Sequence, residues 1–264
     1  MGRAYEVRKA SIQKTGAAKA KLYSMYAREI YAAAKNGGTS MEANAVLKRL
    51  VDKARGEQVP SDIIKRAIDK VNSGVDENYL TVSYELFGPS GSTMIVECLT
   101  DNVNRSVSNL RAILNKTGVK MGAQGSVSYQ YDNLCAVGFR GLTMEEVLDA
   151  LILNDIDATD IEEDDGIVVY GKPTDLYKIK EAITSVKPVT FDIDEIGMFP
   201  KETVTLTGED KEIFSKFLNM VDEMEDVKTV YHNVNLQKGM IVCITNLKNI
   251  EINLTTLQKK WLKS

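Results

Sequence analysis

The sequence predicts an α+β protein in which an N-terminal helical domain precedes two α/β domains, one inserted in the other. Three observations support this class. From residue 22 to residue 71 the apolar residues recur every three or four positions, as on one face of a helix. From residue 80 they alternate, as in a strand with one buried face. Residues 134–197 then contain a complete series of strands and helices in the middle of a second, unfinished series.

The first domain, residues 1–76, is predicted to contain three helices behind a basic arm. One helix ends at the "NGG" of residues 36–38, a second ends at Gly56, and a third begins at the Pro-Ser-Asp of residues 60–62. Before them, "MGRAYEVRKASIQKTGAAKAK" has six basic residues against one acidic residue and too few apolar residues for a core. We expect this segment to be a mobile arm.

The second domain is predicted to begin with two strands and a helix. A strand begins at residue 80, and "TMIVECL" at 93–99 is apolar enough for a central strand. Thr100 or Asp101 is expected to cap the following helix, because their side-chain oxygens can accept its free N–H groups. A further strand is expected around Tyr129.

Residues 134–197 have the element order β-α-β-β-α-β, which is that of ferredoxin-like domains. The strand "TVTLT", a helix from Glu209 and the strand "VKTVYHNV" follow, and they are too few to form a domain alone. We therefore expect them to complete the sheet begun at residue 80. The predicted domains are 77–133 with 198–236 as a discontinuous α/β domain, 134–197 as an inserted acidic ferredoxin-like domain, and 237–264 as an extra C-terminal tail.

The charges are segregated along the chain, although the net charge is only −4. Residues 1–73 hold 15 Lys and Arg against 7 Asp and Glu, whereas residues 134–200 hold 5 against 15. A basic end of this kind favours a polyanion as partner. We therefore expect nucleic acid, either DNA or ribosomal RNA, to bind the basic end.

The residue types available for chemistry are few. There is one histidine, His232, and the three cysteines are far apart, which argues against zinc sites, a disulfide framework and a Ser-His-Asp relay. We expect no metal, no cofactor and no enzymatic activity. Without an 18-residue apolar span or a signal sequence, no membrane partner is expected, and cysteine usage fits the cytoplasm.

Several short motifs have ordinary structural explanations. "GPSG" at 88–91 and "GAQG" at 122–125 resemble phosphate-approaching glycine loops, but neither lies between two helices, so tight turns are expected. "EEDD" at 162–165 lacks calcium-loop spacing and is expected to be a solvated turn. His232 has no evident nucleophile beside it and is expected to be structural.

The candidate nucleic-acid contacts are the Lys and Arg side chains of the basic end and the start of the helix at 102–116, where free N–H groups lie beside Arg105. A merely solvated surface is the alternative. No recognition-helix motif is present. The candidates are Arg3, Arg8, Lys9, Lys14, Lys19, Lys21, Arg28, Lys48, Arg49, Lys53, Arg55, Lys65, Arg66, Lys70, Asn104 and Arg105.

Four strings, "LTDNVNRSVSNLR", "GAQGSVSYQYD", "YELFGPSGSTMIVE" and "VYHNV", resemble the YebC family over about residues 1–236. The short start and "REIYAAAKNGG" resemble its shorter-armed branch. The family includes bacterial probable transcriptional regulators and a mitochondrial translational activator. The resemblance implies three domains and a cytoplasmic, non-enzymatic protein of gene expression. The chain departs from it at Ala4-Tyr5-Glu6-Val7, where relatives usually carry Lys-Trp-Ala-Asn.

Three functions remain open from the sequence. The leading hypothesis is a DNA-binding transcriptional regulator. The second, which the resemblance implies, is a ribosome-associated factor that assists synthesis through proline-rich stretches. Repulsion between the acidic module and a long duplex laid across it favours a ribosomal target. The third is a small-molecule effector-binding protein, since ferredoxin-like modules also bind small ligands.

Overall fold

The computed structural model describes residues 3–74, 77–163 and 166–235, with side chains from residue 19 onward. The helices are α1 (Arg3–Gly37), α2 (Ala45–Gly56), α3 (Ser61–Asn72), α4 (Val103–Thr117), α5 (Met144–Leu153), α6 (Leu176–Val186) and α7 (Gly208–Asp222). The strands are β1 (Leu80–Phe87), β2 (Thr93–Thr100), β3 (Lys120–Met121), β4 (Tyr131–Phe139), β5 (Asp160–Glu163), β6 (Ile167–Gly171), β7 (Phe191–Pro200) and β8 (Val227–His232). The predicted tail, residues 237–264, lies outside the described residues.

Helices α1, α2 and α3 pack around one apolar core that includes Tyr26, Ile30, Leu47 and Val51. Asn44 joins two of them. Its side chain accepts a hydrogen bond from the N–H of Leu47 at the start of α2, and donates to two carbonyls at the end of α1. None of the helices in the described ranges has both the length and the apolar character needed to span a bilayer.

The first helix begins much earlier than the sequence predicted. Residues 3–21, expected to form an arm without regular structure, are the first half of α1. The expectation was wrong about secondary structure because it considered only the lack of apolar residues. Five alanines lie between Arg3 and Lys21, with several Lys, Arg and Gln residues and no proline, and these residue types favour a helix even without a core.

The first sheet has the strand order β3-β1-β2-β8, and its pairs are antiparallel. Helices α4 and α7 cover one face, and the core between them includes Leu86, Met94, Leu110, Phe214 and Phe217. The sheet therefore takes its last strand from the chain segment that follows the second sheet, as the sequence predicted. We propose residues 77–130 with 201–236 as this discontinuous domain, because residues 131–133 and 198–200, expected to belong to it, are strand residues of the second sheet.

Two expected strands differ in the structure. Around Tyr129 the chain forms a 3-10 turn, Ser128–Gln130, and the strand begins only at Tyr131. The "TVTLT" segment contributes a single bridge between Val204 and Val234, because it meets the last strand only beyond its end at His232.

The second sheet has the order β5-β6-β4-β7, with α5 and α6 sharing a core with Val137, Val169 and Ile179. This unit has the predicted ferredoxin-like element order, and it is the proposed inserted domain. Its strands extend three residues beyond the expected bounds of 134 and 197 at each end, since Tyr131 is paired with Pro200. The described part of the chain is α+β, as predicted.

Candidate nucleic-acid interface

The glycine loop at 122–125 binds a carboxylate of its own chain. Glu85, which is 8% exposed, accepts hydrogen bonds from the backbone N–H of Gly125 at 2.7 Å, of Ser128 at 2.9 Å and of Val127. Burial alone would raise the pKa of Glu85, but these N–H donors lower it below the usual value. The N–H groups that could have held a phosphate are therefore occupied by Glu85.

The "GPSG" motif forms a tight turn, as expected. The "GPSG" segment is closed by hydrogen bonds from the N–H of Gly88 to the carbonyl of Ser92 and from the N–H of Ser92 to that of Pro89. Within the described residues, no group of acidic, His or Cys side chains has the geometry of a metal site. The expectation of a solvated turn for "EEDD" was wrong for its first half: Glu162 and Glu163 end strand β5, and the Glu162 carboxylate accepts a hydrogen bond from the Tyr170 hydroxyl at 3.1 Å. Residues 164–165 of this run lie outside the described ranges. Burial lowers the pKa of His232 to about 4, so the ring is neutral near pH 7.

Helix α4 is capped by Asn102, and the prediction of Thr100 or Asp101 was wrong. The Asn102 side-chain oxygen accepts a hydrogen bond from the backbone N–H of Arg105 at 3.0 Å. Thr100 is fully buried, and its hydroxyl bonds to the backbone of Asn102 instead. The Asp101 carboxylate accepts a hydrogen bond from the guanidinium of Arg105 at 2.6 Å. The polar run before α4 therefore serves to start the helix and to hold Arg105.

Asp226 is the centre of a charged cluster that joins three parts of the chain. Its carboxylate is 5% exposed and accepts hydrogen bonds from the guanidinium of Arg105 at 2.8 Å and from the hydroxyl of Ser106 at 2.7 Å. The guanidinium of Arg28 on α1 lies 3.6 Å from the same carboxylate. Burial raises the pKa of Asp226, but these hydrogen bonds and the charges of both arginines outweigh burial and lower it. Arg105, predicted to face a phosphate, is therefore ion-paired within the chain.

An open groove of about 390 Å³ lies beside this cluster, between α4 and α7. Arg105, Asn109, Met220 and Met224 contribute to its walls. The effector-binding alternative would place its ligand here. The guanidinium that would bind an anionic ligand is already bound to Asp101 and Asp226, so the groove gives this alternative little support.

Three more candidates are held by carboxylates from other elements. Lys21 lies 3.0 Å from Asp222 at the end of α7. Lys53 of α2 lies 2.6 Å from Glu195 on β7. These pairs attach the helical part of the chain to both sheets. The third pair, between Lys70 and Glu77 at 2.6 Å, is closer in sequence, and Lys70 also lies over the ring of Tyr31.

A buried carboxyl group, Glu29, lies among these basic residues and was not foreseen from the sequence. It is 8% exposed, and Oε1 has no hydrogen-bond partner within the described residues. Burial raises its pKa, although the charges of Lys228, Lys53 and Arg49 act in the opposite direction. No local pattern indicates this arrangement, because Lys228 comes from a distant strand.

The remaining candidates fall into three groups. Lys19, Lys48, Arg49, Lys65 and Asn104 have no ion pair with any described side chain. Arg55 and Arg66 make only exposed pairs with Asp52 and Asp62 in their own helices. Arg3, Arg8, Lys9 and Lys14 belong to the first half of α1, where only the backbone is described.

Most of the excess positive charge belongs to α1. Residues 3–35 contain eight Lys and Arg against two Glu, whereas residues 36–73 contain seven against five acidic residues. We propose that a polyanion would contact the basic residues of α1 together with Lys48, Arg49 and Lys65, which have no ion pair with described side chains; within α1, Lys21 and Arg28 are already held by Asp222 and Asp226. We refer to this set as the basic surface.

Comparison with known families accounts for nearly all of the described chain. Residues 3–74 match the model of the TACO1/YebC protein N-terminal domain, and residues 79–234 match that of the TACO1/YebC second and third domain. The chain belongs to the TACO1/YebC family. This confirms the resemblance found in the four sequence strings.

Individual TACO1/YebC relatives agree over almost their whole length. A probable transcriptional regulatory protein of Vibrio parahaemolyticus is 44% identical over 238 residues, covering 89% of this chain and all of the relative. A protein of the same description from Alteromonas mediterranea is 43% identical, covering 88% of this chain and 98% of its own. The crystal structure of a conserved hypothetical protein from Aquifex aeolicus has a TM-score of 0.70 at 29% identity, covering 85% and 93% of the two chains.

Proposed function

We propose that this TACO1/YebC member regulates gene expression by binding nucleic acid through the basic surface, without catalysing a reaction. The observation that carries the proposal is the eight-to-two excess of basic over acidic residues in residues 3–35, most of α1. The names of the bacterial relatives, probable transcriptional regulatory proteins, support a regulatory role. DNA is the proposed ligand.

The proposed mode of binding is electrostatic. Lysine and arginine side chains on helices neutralise phosphates and release condensed counterions, which provides affinity without reading bases. Lys19, Lys48 and Lys65 are exposed and are not ion-paired with described residues, so they are available for this role without rearrangement. The acidic second sheet, whose Glu195 is ion-paired with Lys53, is proposed to remain outside the contact with nucleic acid.

The test uses two triple variants that change the net charge equally. Lys19→Glu, Lys48→Glu and Lys65→Glu alter the basic surface, and Lys178→Glu, Lys201→Glu and Lys211→Glu alter exposed lysines elsewhere. The dissociation constant of a labelled duplex is measured by fluorescence anisotropy at several salt concentrations. The first variant should bind at least about tenfold more weakly, with a log–log salt slope less steep by about 3. Equal losses in the two variants would overturn the proposal.

A ribosomal target is the second candidate, and the acidic second sheet favours it. A duplex laid across both regions would meet repulsion there, whereas a folded RNA could contact the basic surface alone. The measurement is competition between labelled promoter DNA and purified ribosomes for limiting protein. A DNA site preferred by about 10³ over random duplex, without competition by ribosomes, supports transcription. Displacement of DNA by ribosomes supports translation.

A further inference from the structure

Helix α5 exposes large apolar side chains on its outer face. Leu148 is 43% exposed, and Ile152 and Leu153 are 74% and 84% exposed. The opposite face, with Val147 and Leu151, is buried in the core of the second sheet. Leu148 and Ile152 are four residues apart and therefore adjacent on the helix surface. An apolar group of this kind on a charged domain is typical of an interaction site.

The apolar residues lie beside a row of acidic ones. Glu145 and Asp149, again four residues apart, are exposed on the same helix, and α5 contains no Lys or Arg. This excludes a nucleic acid as the occupant. A second copy of α5 docked symmetrically would bring carboxylates against carboxylates, which is unfavourable. The fitting occupant is a segment that is both apolar and basic.

Such a segment exists in the chain itself. Residues 236–264 lie outside the described residues and beyond the end of the family match at residue 234. They contain five Lys against one Glu, with 13 apolar residues among 29. An extended chain of this length spans up to about 95 Å, so the length of the segment does not limit its reach.

We propose that residues 236–264 dock on the face of α5 formed by Leu148, Ile152 and Leu153, with their lysines beside Glu145 and Asp149. The apolar side chains would be removed from water, and the basic residues would match the row of carboxylates. This interaction would be internal to the molecule, and it does not depend on the proposed binding of nucleic acid.

The test introduces a photo-reactive benzoylphenylalanine in the full chain, either at position 152 or at position 46 as a control. Val46 is an apolar residue of α2 and is 59% exposed. After irradiation, cross-linked peptides are identified by mass spectrometry. Position 152 should give intramolecular products with residues 236–264, at several times the yield from position 46. Products with another copy, or equal yields from both positions, would overturn the proposal.

A second measurement tests the charge match. In the chain with the photo-reactive group at position 152, Glu145→Lys and Asp149→Lys should lower the yield of tail products several-fold. High salt should also lower this yield in the protein without these substitutions, since exposed charges are screened. Both substituted residues are exposed, and an unchanged melting temperature verifies that folding is intact. If neither change lowers the yield, the assigned role of Glu145 and Asp149 is wrong.

Discussion

The ammonium of Lys53 on α2 lies 2.6 Å from a carboxylate oxygen of Glu195 on β7. A basic side chain that could bind a phosphate is thus neutralised by the acidic sheet of the same molecule. Lys21 and Arg28 are held in the same way by Asp222 and Asp226. Nucleic acid that engages these side chains must displace carboxylates, so the carboxylates should weaken its binding.

Glu195→Gln is expected to strengthen binding of a duplex about two- to fivefold, because a partly exposed ion pair contributes about 0.5–1 kcal/mol. The dissociation constant is measured by anisotropy at low salt. Asp192→Asn is the matched control, since it removes the same charge from the same strand, where Asp192 faces Arg140 at 3.8 Å. Equal changes in the two variants would mean that only net charge matters.

Asp226→Asn is expected to lower the free energy of unfolding by about 2–3 kcal/mol, because it leaves Arg105 and Ser106 without their ionised acceptor. Urea unfolding provides the measurement. Asp101→Asn removes the exposed carboxylate on the same arginine and should cost less than about 1 kcal/mol. A larger loss for Asp101→Asn would show that the buried contact is not the dominant one.

The stabilising effect of Asp226 should depend on pH. Its pKa is lower in the folded than in the unfolded chain, so the folded state favours the ionised form. The contribution is complete above the unfolded value of about 4, and it is lost as pH falls through the lowered folded value. The stability difference between wild type and Asp226→Asn should therefore shrink from about pH 7 to about pH 3. A constant difference would contradict the assignment.

Glu85→Gln is expected to cost about 1–3 kcal/mol of unfolding free energy, because the amide NH₂ would face backbone N–H donors of the 125–128 loop. Urea unfolding is again suitable. Glu97→Gln is the control, since Glu97 is more exposed and its partner Lys228 is 4.0 Å away. If the control loses as much stability, the N–H groups of the loop are not what makes Glu85 important.

Residues 131–200 expressed alone should melt cooperatively, because the second sheet has its own core and both of its helices. Thermal unfolding followed by circular dichroism checks this. A fragment without a cooperative transition would contradict the proposed inserted domain.

Local patterns were enough to predict most strands and all the described helices except the first half of α1. The alternation in β1 and the apolar run of β2 depend on neighbouring residues, so a short window of sequence contains the signal. The prediction of a strand at Tyr129 was wrong, because the N–H groups of Val127 and Ser128 donate to Glu85, about 40 residues earlier in the chain. No local pattern reveals a partner at that distance.

The candidate site was predicted less well for the same reason. Charge counts identified the basic end, but they could not show that Arg105 is paired with Asp226, 121 residues away. Nor could they show that Lys53 binds Glu195 in the acidic region. The opposite charges of the two regions were visible in the sequence, whereas the individual pairs depend on tertiary structure.

The pairing of Tyr131 with Pro200 has a consequence for the order of folding. Strands β2 and β8 must meet although the second sheet separates them in the chain. If that sheet forms first, its two ends are already together, and the loop to be closed becomes about half as long. Halving the loop lowers the entropic free-energy cost of closing it by only about 0.6 kcal/mol. The intervening unit therefore adds little to the cost of closing the first sheet, whether or not it folds first.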